Sequence, residues 1–535
     1  MHNPSRRFKS CEGWAIAGVM AGVIALGGCR VDPQEEQAVY RSVLEEGVPE
    51  VQPPEPGEAV TLERVMALAV RGGEDLPIEG ERFLQAVIAK RRTVSAFFPT
   101  VGLEPTLTIS DPGSRGGNSA GVNNVGSFVR RGDVLQRFEA PVTTQFTVFN
   151  GFGDLARYHA ADATAHEREA LLLDARAELL LGVAQAYFAV LSAERRTQVI
   201  EASLALQEER VRDVEARRRI GTARPLEAAQ TLSQAAGTRV DLLRARSEAR
   251  NARLLLAYLA GLEPDRLTGP LSDADPAAAA AANDEAQDLA EALARRDDLR
   301  AAHHALEAAK HGIDEAFSQY YPTVTLDINA YLTRENFDEA SKWNAALRAN
   351  LPIFRAGQIH QDVRAAWSRL REAALRESRL RRRIAREVRE LRESLRSSEE
   401  RMVQTALRVE ASRETSEIAD QTYRIGLATN LDRLSAQFDL LEAQLEHVTA
   451  SFDRCVYALA LGRATGRLTV ESVRGATAAE SASTGSSTGA PTGASTGAPT
   501  GASTGASTGA APPPAEPPVP PEPRVDPTPV PSPQE

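Results

Sequence analysis

Four stretches of the chain alternate between apolar and polar residues, the period of a β-strand with one apolar face. Each stretch is about ten residues long, which is the length of a tilted strand that crosses a membrane. The predicted strands occupy residues 101–110, 137–148, 323–332 and 343–353. The pattern also fits four half-buried strands of a soluble sheet, because the signal from each membrane strand is weak.

Long stretches with helical composition follow the second and the fourth predicted strand. None of these stretches contains proline. They occupy residues 154–220, 226–261, 358–425 and 431–462. At 1.5 Å per residue, the two longer ones would each extend for about 100 Å. Gly221 and Gly426 separate the members of each pair. Since glycine adopts the left-handed conformation that ends a helix, we predict two long helical hairpins. Helices this long must pack along neighbouring helices.

The second half of the chain repeats the first. Phe149, the segment 219–223 and the segment 259–261 reappear 205 positions later, at Phe354, 424–428 and 464–466. A fixed offset over such a distance indicates two copies of one unit. Phe98-Pro99-Thr100 and Tyr321-Pro322-Thr323 also match, at an offset of 223, because copy one carries a longer Gly-, Asn- and Ser-rich loop. The predicted units are repeat 1 at 59–265, an Ala-rich linker at 266–285 and repeat 2 at 286–470.

The N-terminus has the pattern of an export signal. Basic residues precede the uncharged run Trp14–Gly28, which is too short to span a bilayer. The run ends in Leu26-Gly27-Gly28-Cys29, which resembles the lipobox of bacterial lipoproteins. We therefore predict a signal peptide at 1–28, an acylated Cys29 and a tether at 29–58. Arg30 is not the aspartate that retains some lipoproteins at the inner membrane, so we expect outer-membrane sorting. The alternative is a signal peptide with a chance cysteine.

Composition narrows the class of protein. The chain of 535 residues has a net charge of -11, which argues against nucleic-acid binding. Once Cys29 is acylated, Cys455 has no partner for a disulfide or a thiolate metal site. His303, His304 and His311 lie in an Ala-rich helical stretch without Asp or Cys at ligand spacing. We expect no metal, no cofactor and no enzymatic activity, and a disordered Ser/Thr/Gly/Ala- and Pro-rich tail at 471–535.

The predicted strands are too few to seal a barrel within one chain. Beyond the signal peptide, no run of about 20 apolar residues suggests a transmembrane helix. A chain that crosses the membrane must then use a closed barrel, because lipid satisfies no backbone polar group. About eight strands are the minimum for a barrel, so several subunits would have to share one.

The order, length and duplication of these elements resemble those of the TolC-like outer-membrane efflux proteins over residues 60–470. The matching motifs are Phe98-Pro99-Thr100, Val148-Phe149-Asn150-Gly151, the two Arg-Ile-Gly turns, Tyr320-Tyr321-Pro322 and Leu351-Pro352-Ile353-Phe354. The resemblance implies a mainly α fold with membrane β-strands. Three chains would share a twelve-stranded barrel and a helical tunnel across the periplasm. The homotrimer would be a lipid-anchored, passive exit duct for small molecules or polypeptides. It would dock on a periplasmic adaptor and an inner-membrane RND or ABC pump.

The resemblance also implies two functional sites. The hairpin tips would contact the adaptor through Arg219, Ile220, Gly221, Thr222, Arg424, Ile425, Gly426, Leu427 and Thr429. Asp432, with Glu227 as its counterpart in copy one, would narrow the pore as a ring of like charge. The family often has a second acid three positions later, where this chain has Ser435. The tip residues could instead only form the turn, and Asp432 could be a solvated helix carboxylate.

A different class of protein shares some of these features. A periplasmic coiled-coil adaptor or structural lipoprotein without channel activity would also have a long hairpin and a lipid anchor. It would need neither two hairpins in one chain nor four alternating strands of membrane length.

Overall fold

The computed structural model describes residues 32–110, 129–131, 134–272, 284–334 and 342–473. Within these ranges the helices are α1 (Pro33–Leu44), α2 (Leu62–Gly72), α3 (Asp75–Val94), α4 (Gly153–Arg219), α5 (Pro225–Leu259), α6 (Glu285–Arg295), α7 (Asp297–Ser318), α8 (Gln358–Arg424) and α9 (Asn430–Ala464). The strands there are β1 (Thr100–Leu103), β2 (Thr106–Ser110), β3 (Val129–Arg131), β4 (Val134–Asn150), β5 (Thr323–Arg334) and β6 (Trp343–Asn350). Short 3-10 turns lie at Ser95–Phe97 and Pro264–Arg266.

The long helices form two hairpins of equal length. Helices α4 and α8 each have 67 residues, and α5 and α9 each have 35. Every bound of the second hairpin lies 205 positions after the corresponding bound of the first. The predicted pair of long hairpins is therefore confirmed, with bounds that differ from the predicted ones by at most two residues. Because α4 also packs against α9, the two hairpins lie side by side.

The hairpin turns are built alike. Gly221 and Gly426 have φ angles of 77° and 81°, in the left-handed region. The next residue, Thr222 or Leu427, donates its N–H to a carbonyl five positions earlier, at 2.9 Å in both turns. These bonds satisfy carbonyl groups at the helix end, and the positive φ suits glycine. The turn chemistry expected from the sequence is therefore present in both copies.

The duplication extends to a short helix in each copy. Helices α2 and α6 both have 11 residues, and α6 lies 223 positions after α2. Each packs near the returning end of its hairpin. The backbone of Gly72 touches Gly261 in copy one, and Arg295 of α6 touches Gly466 in copy two. The absence of a side chain at both hairpin glycines permits this close approach.

The largest apolar core lies where α2 and α3 pack against α4. Tyr187 of α4 is fully buried, and its hydroxyl lies 3.0 Å from the Val60 carbonyl and 2.8 Å from that of Ser272. Within the described chain, α4 is the one helix long and apolar enough to cross a bilayer by length and composition. Its segment Leu180–Leu191 contributes many side chains to this core. Of the most apolar window of the helix, 44% is buried inside the protein.

Residues 33–44 form the packed helix α1 rather than part of a free tether. Asp32 caps the helix by accepting a hydrogen bond from the Gln34 N–H at 2.9 Å. Tyr40 and Leu44 are buried in the core. The Tyr40 ring lies over Gly80, where an added Cβ would come within 2.5 Å of a ring carbon. This contact forms only in the folded chain, because Gly80 lies on α3 and Tyr40 lies on α1.

The strands form one antiparallel sheet that is four strands wide, and each strand position across its width is one column. On one side of β4 lie β1 and β2, and on the other side β5 pairs with both β4 and β6. The short strand β3 pairs with the beginning of β4. The first predicted strand is divided into β1 and β2 at Glu104-Pro105, because proline has no N–H for the ladder. Strand β6 ends at Asn350, three residues earlier than predicted.

The register separates an apolar face of the sheet from a polar one. Leu326 pairs with Phe146 and with Leu347, so these three side chains share a face. Its neighbour Thr325 pairs with Thr147 on the opposite face. Other apolar-face residues are Val101, Leu103, Val142, Ile328, Ala330, Trp343, Ala345 and Ala349. Other polar-face residues are Thr143, Gln145, Asp327, Asn329, Asn344, Arg348 and Asn350. The alternation expected from the sequence is therefore expressed as two chemically different faces.

Candidate functional site

The sheet exposes both of its edges in the described part of a single chain. Strands β1 and β2 form one edge and β6 forms the other, and no further strand covers either edge there. Exposed edges are templates for pairing with another chain. Because the strands alternate in direction from β1 to β6, β6 of one copy would run antiparallel to β1 of a second copy. The geometry is therefore suited to continuation of the sheet between subunits.

Aromatic residues lie at both ends of the strands. Trp343 begins β6, and Tyr331 lies near the end of β5. The opposite ends of the sheet, where the strands meet the helices, carry Phe98, Phe149, Tyr320, Tyr321 and Phe354. Between these two ends, Val101, Leu103 and Leu347 are exposed on the apolar face. Exposed apolar residues along the strands, with aromatic residues near the strand ends, are features of membrane barrel strands.

The hairpin tips expose large apolar side chains far from the sheet. Ile220 is 75% exposed and Leu427 is 80% exposed. Ile425, Leu226 and Leu431 around them are exposed as well. Each tip lies at the end of a helix of 67 residues, about 100 Å from the strand end of that helix. A clustered apolar surface at this position is typical of a protein-binding site.

Asp432 belongs to a capping box at the beginning of α9. The Thr429 N–H donates to Asp432 Oδ2 at 2.8 Å, and the Asp432 N–H donates to Thr429 Oγ1 at 3.2 Å. The Thr429 hydroxyl also lies 2.7 Å from Oδ2. Hydrogen bonds from the Thr429 side chain, and then from its backbone, hold the pKa of the Asp432 carboxyl below its usual range. The side chain is exposed and ionised at neutral pH, so it can cap the helix and present a charge.

The counterpart in copy one is built differently. Helix α5 begins at Pro225, its N-cap residue is Arg224, and no side chain caps it. Glu227 is half-buried, and the carbonyl of this residue accepts a hydrogen bond from the Thr231 hydroxyl at 2.8 Å. Ser435, in place of the second acid of the resembled family, donates to the Asp432 carbonyl at 3.0 Å. The two acids therefore differ in exposure and in helix capping.

Arg433, next to Asp432, lies inside the protein. It is 3% exposed, and its guanidinium lies 4.1 Å from the centre of the Tyr423 ring. Arg433 Nη2 donates to Asn430 Oδ1 at 2.8 Å, and Nη1 lies 4.0 Å from Asp420 Oδ1. Arg210 of α4 approaches the same Asp420 oxygen at 3.4 Å. This arginine cluster, defined by Arg210, Asp420, Tyr423 and Arg433, joins the first hairpin to the second near the tips.

The sequence patterns did not point to Arg210, Asp420 or Tyr423 as partners of Arg433. No sequence signal links Arg210 with Asp420, because only the packing of α4 beside the second hairpin brings them together. The capping role of Asp432 did have a signal, since a Thr followed three residues later by an acid marks a helix start.

Other predictions involve residues elsewhere in the chain. Cys29, residues 474–535 of the predicted tail and residues 273–283 of the linker lie outside the described residues. The predicted start of the disordered tail at 471 is too early, because Val473 is buried in the apolar core. His304 and His311 of α7 face His166 and His159 of α4, with ring centres 5.5 and 5.3 Å apart. In the part of the chain that the structure describes, no group of three or more His, Cys, Asp or Glu side chains could hold a metal ion.

Known sequences share this arrangement. The model of the family described as outer membrane efflux protein matches residues 91–262 and 289–467. The outer membrane efflux protein BepC of Brucella suis is 25% identical over 333 residues, which are 61% of this chain and 71% of that protein. The probable efflux pump outer membrane protein TtgC of Pseudomonas putida is 26% identical over 276 residues, 50% of this chain and 56% of that protein.

Solved structures share the fold. The outer membrane protein VceC of Vibrio cholerae superimposes with a TM-score of 0.65 at 23% identity, over 76% of this chain and 96% of that one. The CmeC outer membrane channel of Campylobacter jejuni gives a TM-score of 0.66 at 16% identity, over 76% of this chain and 85% of that one. At these identities the likeness concerns the fold alone.

Proposed function

The chain belongs to the outer membrane efflux protein family, and on that premise we propose that three copies form one passive export duct. Each copy would contribute its four-column sheet to a shared twelve-stranded barrel in the outer membrane. The two helical hairpins of each copy would line a tunnel that extends into the periplasm. Solutes would pass through without chemistry, so the protein acts as a conduit rather than an enzyme.

One observation carries this proposal: among the described residues, a sheet with an exposed apolar face ends in two uncovered edges. In lipid, every backbone polar group must find a partner, so an open sheet cannot remain in the membrane. Three four-column sheets give an even number of strands, and the direction of β1 and β6 allows antiparallel pairing between copies. Closure would also bring the apolar face outward to lipid and the polar face, with its Asp327–Arg348 ion pair of 2.8 Å, inward.

The detergent-purified, full-length protein tests the proposal. We expect a trimer in light scattering that resists unheated gel electrophoresis, and stepwise ion currents after its addition to a planar bilayer. A monomer that passes no current would contradict it. That result would favour the alternative of a periplasmic adaptor or structural lipoprotein.

The hairpin tips are the proposed site for a periplasmic adaptor, which would connect the duct to an inner-membrane RND or ABC pump. The contact residues would be Arg219, Ile220, Gly221, Thr222, Arg424, Ile425, Gly426, Leu427 and Thr429. Their support is an exposed apolar surface at the far end of the tunnel helices. The relative TtgC bears the name of an efflux pump component, which is consistent with such an assembly.

Asp432 is the proposed aperture residue, with Glu227 beside it in copy one. Asp432→Asn should raise single-channel conductance and weaken block by divalent cations about tenfold or more. Three carboxylates around a narrow axis attract a cation, and each contributes about 1 kcal/mol per unit charge at 4 Å even in water. Asparagine retains an oxygen for the helix cap, so the change removes charge with little loss of capping. Currents in planar bilayers with increasing Mg²⁺ measure both quantities.

A matched control distinguishes the effect of a charge at the aperture from a general effect of charge on the channel. Asp439, another exposed acid of α9 farther from the tip, should tolerate the same substitution without a change in block. Equal block for wild-type and Asp432→Asn channels would remove Asp432 from the aperture.

Cys29 is the proposed lipid anchor, which would hold the duct in the outer membrane. Cells fed radioactive palmitate should label the wild-type protein, and Cys29→Ala should lose the label. Because the barrel provides most of the membrane contact, the variant should still reach the outer membrane when a cleavable signal peptide directs its export. Equal labelling of both proteins would disprove acylation at Cys29.

A further inference from the structure

The helices that adjoin the sheet stand in the same order as the strands. Helix α3 leads into β1, β4 leads into α4, α7 leads into β5 and β6 leads into α8. Helix α4 packs against both α3 and α7, and α7 packs against α8. Within the described part of one chain, the helix row α3-α4-α7-α8 therefore begins and ends next to the two uncovered edges of the sheet.

The duplication provides an internal template for a contact between the two ends of this row. Helix α8 lies 205 positions after α4. The segments on either side of α7 lie 223 positions after those on either side of α3, so α7 is the repeat of α3. The contact of α4 with α7 inside one chain is therefore equivalent to a contact of α8 with α3. Because α3 and α8 lie at opposite ends of the row, a second copy is the partner that could supply it.

Apolar residues at one pair of equivalent positions differ in their cover. Ala170 of α4 and Ala301 of α7 are buried, with exposures of 0% and 3%. The corresponding residues are Leu375 of α8 and Ile78 of α3, which are larger but 70% and 53% exposed. Since burial of apolar surface is favourable, Leu375 and Ile78 are suited to cover each other in an assembly of copies.

An ion pair of the internal contact has an equivalent with exchanged charges. Arg157 Nε of α4 donates to Glu315 Oε1 of α7 at 3.0 Å. The corresponding residues are Asp362 of α8 and Arg92 of α3, so the acid and the base have changed places. Arg92 is exposed and Asp362 is partly exposed in a single chain. The exchange preserves complementary charge between the two helices.

A second pair of equivalent positions is also complementary in charge. The rings of His166 on α4 and His304 on α7 lie 5.5 Å apart. The corresponding residues are Arg371 of α8, which is exposed, and Glu81 of α3, which is partly exposed. The Glu81 carboxylate also lies near the Tyr40 hydroxyl, but a carboxylate accepts several hydrogen bonds and can bind a guanidinium as well.

We infer that α8 of one copy packs against α3 of the next copy, in the register that α4 and α7 adopt within one chain. Leu375 then lies beside Ile78 of the next copy, and Asp362 lies beside Arg92 of the next copy. This inference rests on the proposed trimer and adds to it the helix register and the residues that join the copies. Repeated three times, the contact closes the row of helices into a ring, as pairing of β6 with β1 closes the sheet.

A disulfide tests the register directly. The full-length Ile78→Cys/Leu375→Cys protein, oxidised with copper phenanthroline, should migrate as covalent dimers and trimers on heated, nonreducing gels. Ile88→Cys/Leu375→Cys is the matched control, because Ile88 is also exposed on α3 but lies ten positions, about 15 Å, farther along the helix. This control should give no covalent dimer or trimer. Cys455 is buried and present in both proteins.

Charge exchange tests the same contact without new cysteines. Arg92→Glu should lower the temperature at which the trimer dissociates on the gel, and Arg92→Glu/Asp362→Arg should restore most of that shift. Arg91→Glu is the control, since the residue equivalent to Arg91 is Asp314 of α7, whose side chain is 69% exposed. It should leave the dissociation temperature unchanged.

The outcomes separate this inference from the trimer proposal. A trimer in light scattering that gives no cross-link between the cysteines at 78 and 375, or equal cross-linking of both cysteine pairs, would overturn the helix register and leave the trimer standing. A double charge variant no more stable than Arg92→Glu would also contradict the register. A monomeric wild-type protein would instead overturn the trimer proposal, and this inference with it.

Discussion

Leu326→Lys destabilises the assembled channel by about 2–4 kcal/mol per subunit, the cost of a lysine on the lipid face near the bilayer midplane. Leu326 lies in the middle of the apolar face, paired with Phe146 on β4 and Leu347 on β6. In the proposed trimer, the substitution would place one lysine from each of the three subunits in lipid. We expect little trimer in the membrane fraction and a much lower temperature for the gel shift from trimer to monomer.

The adjacent residue is the control for this prediction. Thr325 lies on the polar face, where it pairs with Thr147 and Arg348. Thr325→Lys adds the same charge one position away, but on the proposed water-filled side, so trimers should form normally. If the two lysines have equal effects, the apolar face does not contact lipid and the barrel proposal is wrong.

We expect Gly426→Pro to abolish the proposed export while the proposed trimers remain intact. The φ angle of Gly426 is 81°, whereas proline requires about −65°, and the Gly426 N–H that donates to the Tyr423 carbonyl would be lost. The tip must therefore rearrange at a local cost of about 3 kcal/mol or more. Since the tip lies about 100 Å from the sheet, barrel assembly should proceed. Accumulation of an exported dye in cells, together with trimer yield, measures the two effects separately.

Gly426→Asn is the matched control, because asparagine tolerates the left-handed conformation better than other residues with a side chain. Export should persist in this variant. Normal export by Gly426→Pro would argue against docking at this tip, whereas loss of trimers would show that the substitution acts on folding instead.

Local sequence patterns predicted the parts of the fold that depend on neighbouring residues. The helix lengths follow from the absence of proline, and the turns at Gly221 and Gly426 follow from the need for a positive φ. The alternation of the strands predicted which residues share a face. The break at Pro105 was missed by the predicted strand at 101–110, although a strand interior rarely accommodates proline.

The tertiary structure decided features that join distant parts of the chain. Tyr40 makes α1 a packed helix because Gly80, on another helix, leaves room for the ring. Arg210 and Asp420 meet although 210 positions separate them.

By itself, then, the sequence determined the repeated unit, the lengths of its hairpins and the two faces of its sheet, because backbone preference and side-chain periodicity act over a few residues. Only the tertiary structure decided that Arg433 is buried and that arginines from separate hairpins converge on Asp420. Those outcomes depend on which helix faces pack together, and the burial and electrostatic energies of that packing involve residues far apart in the chain.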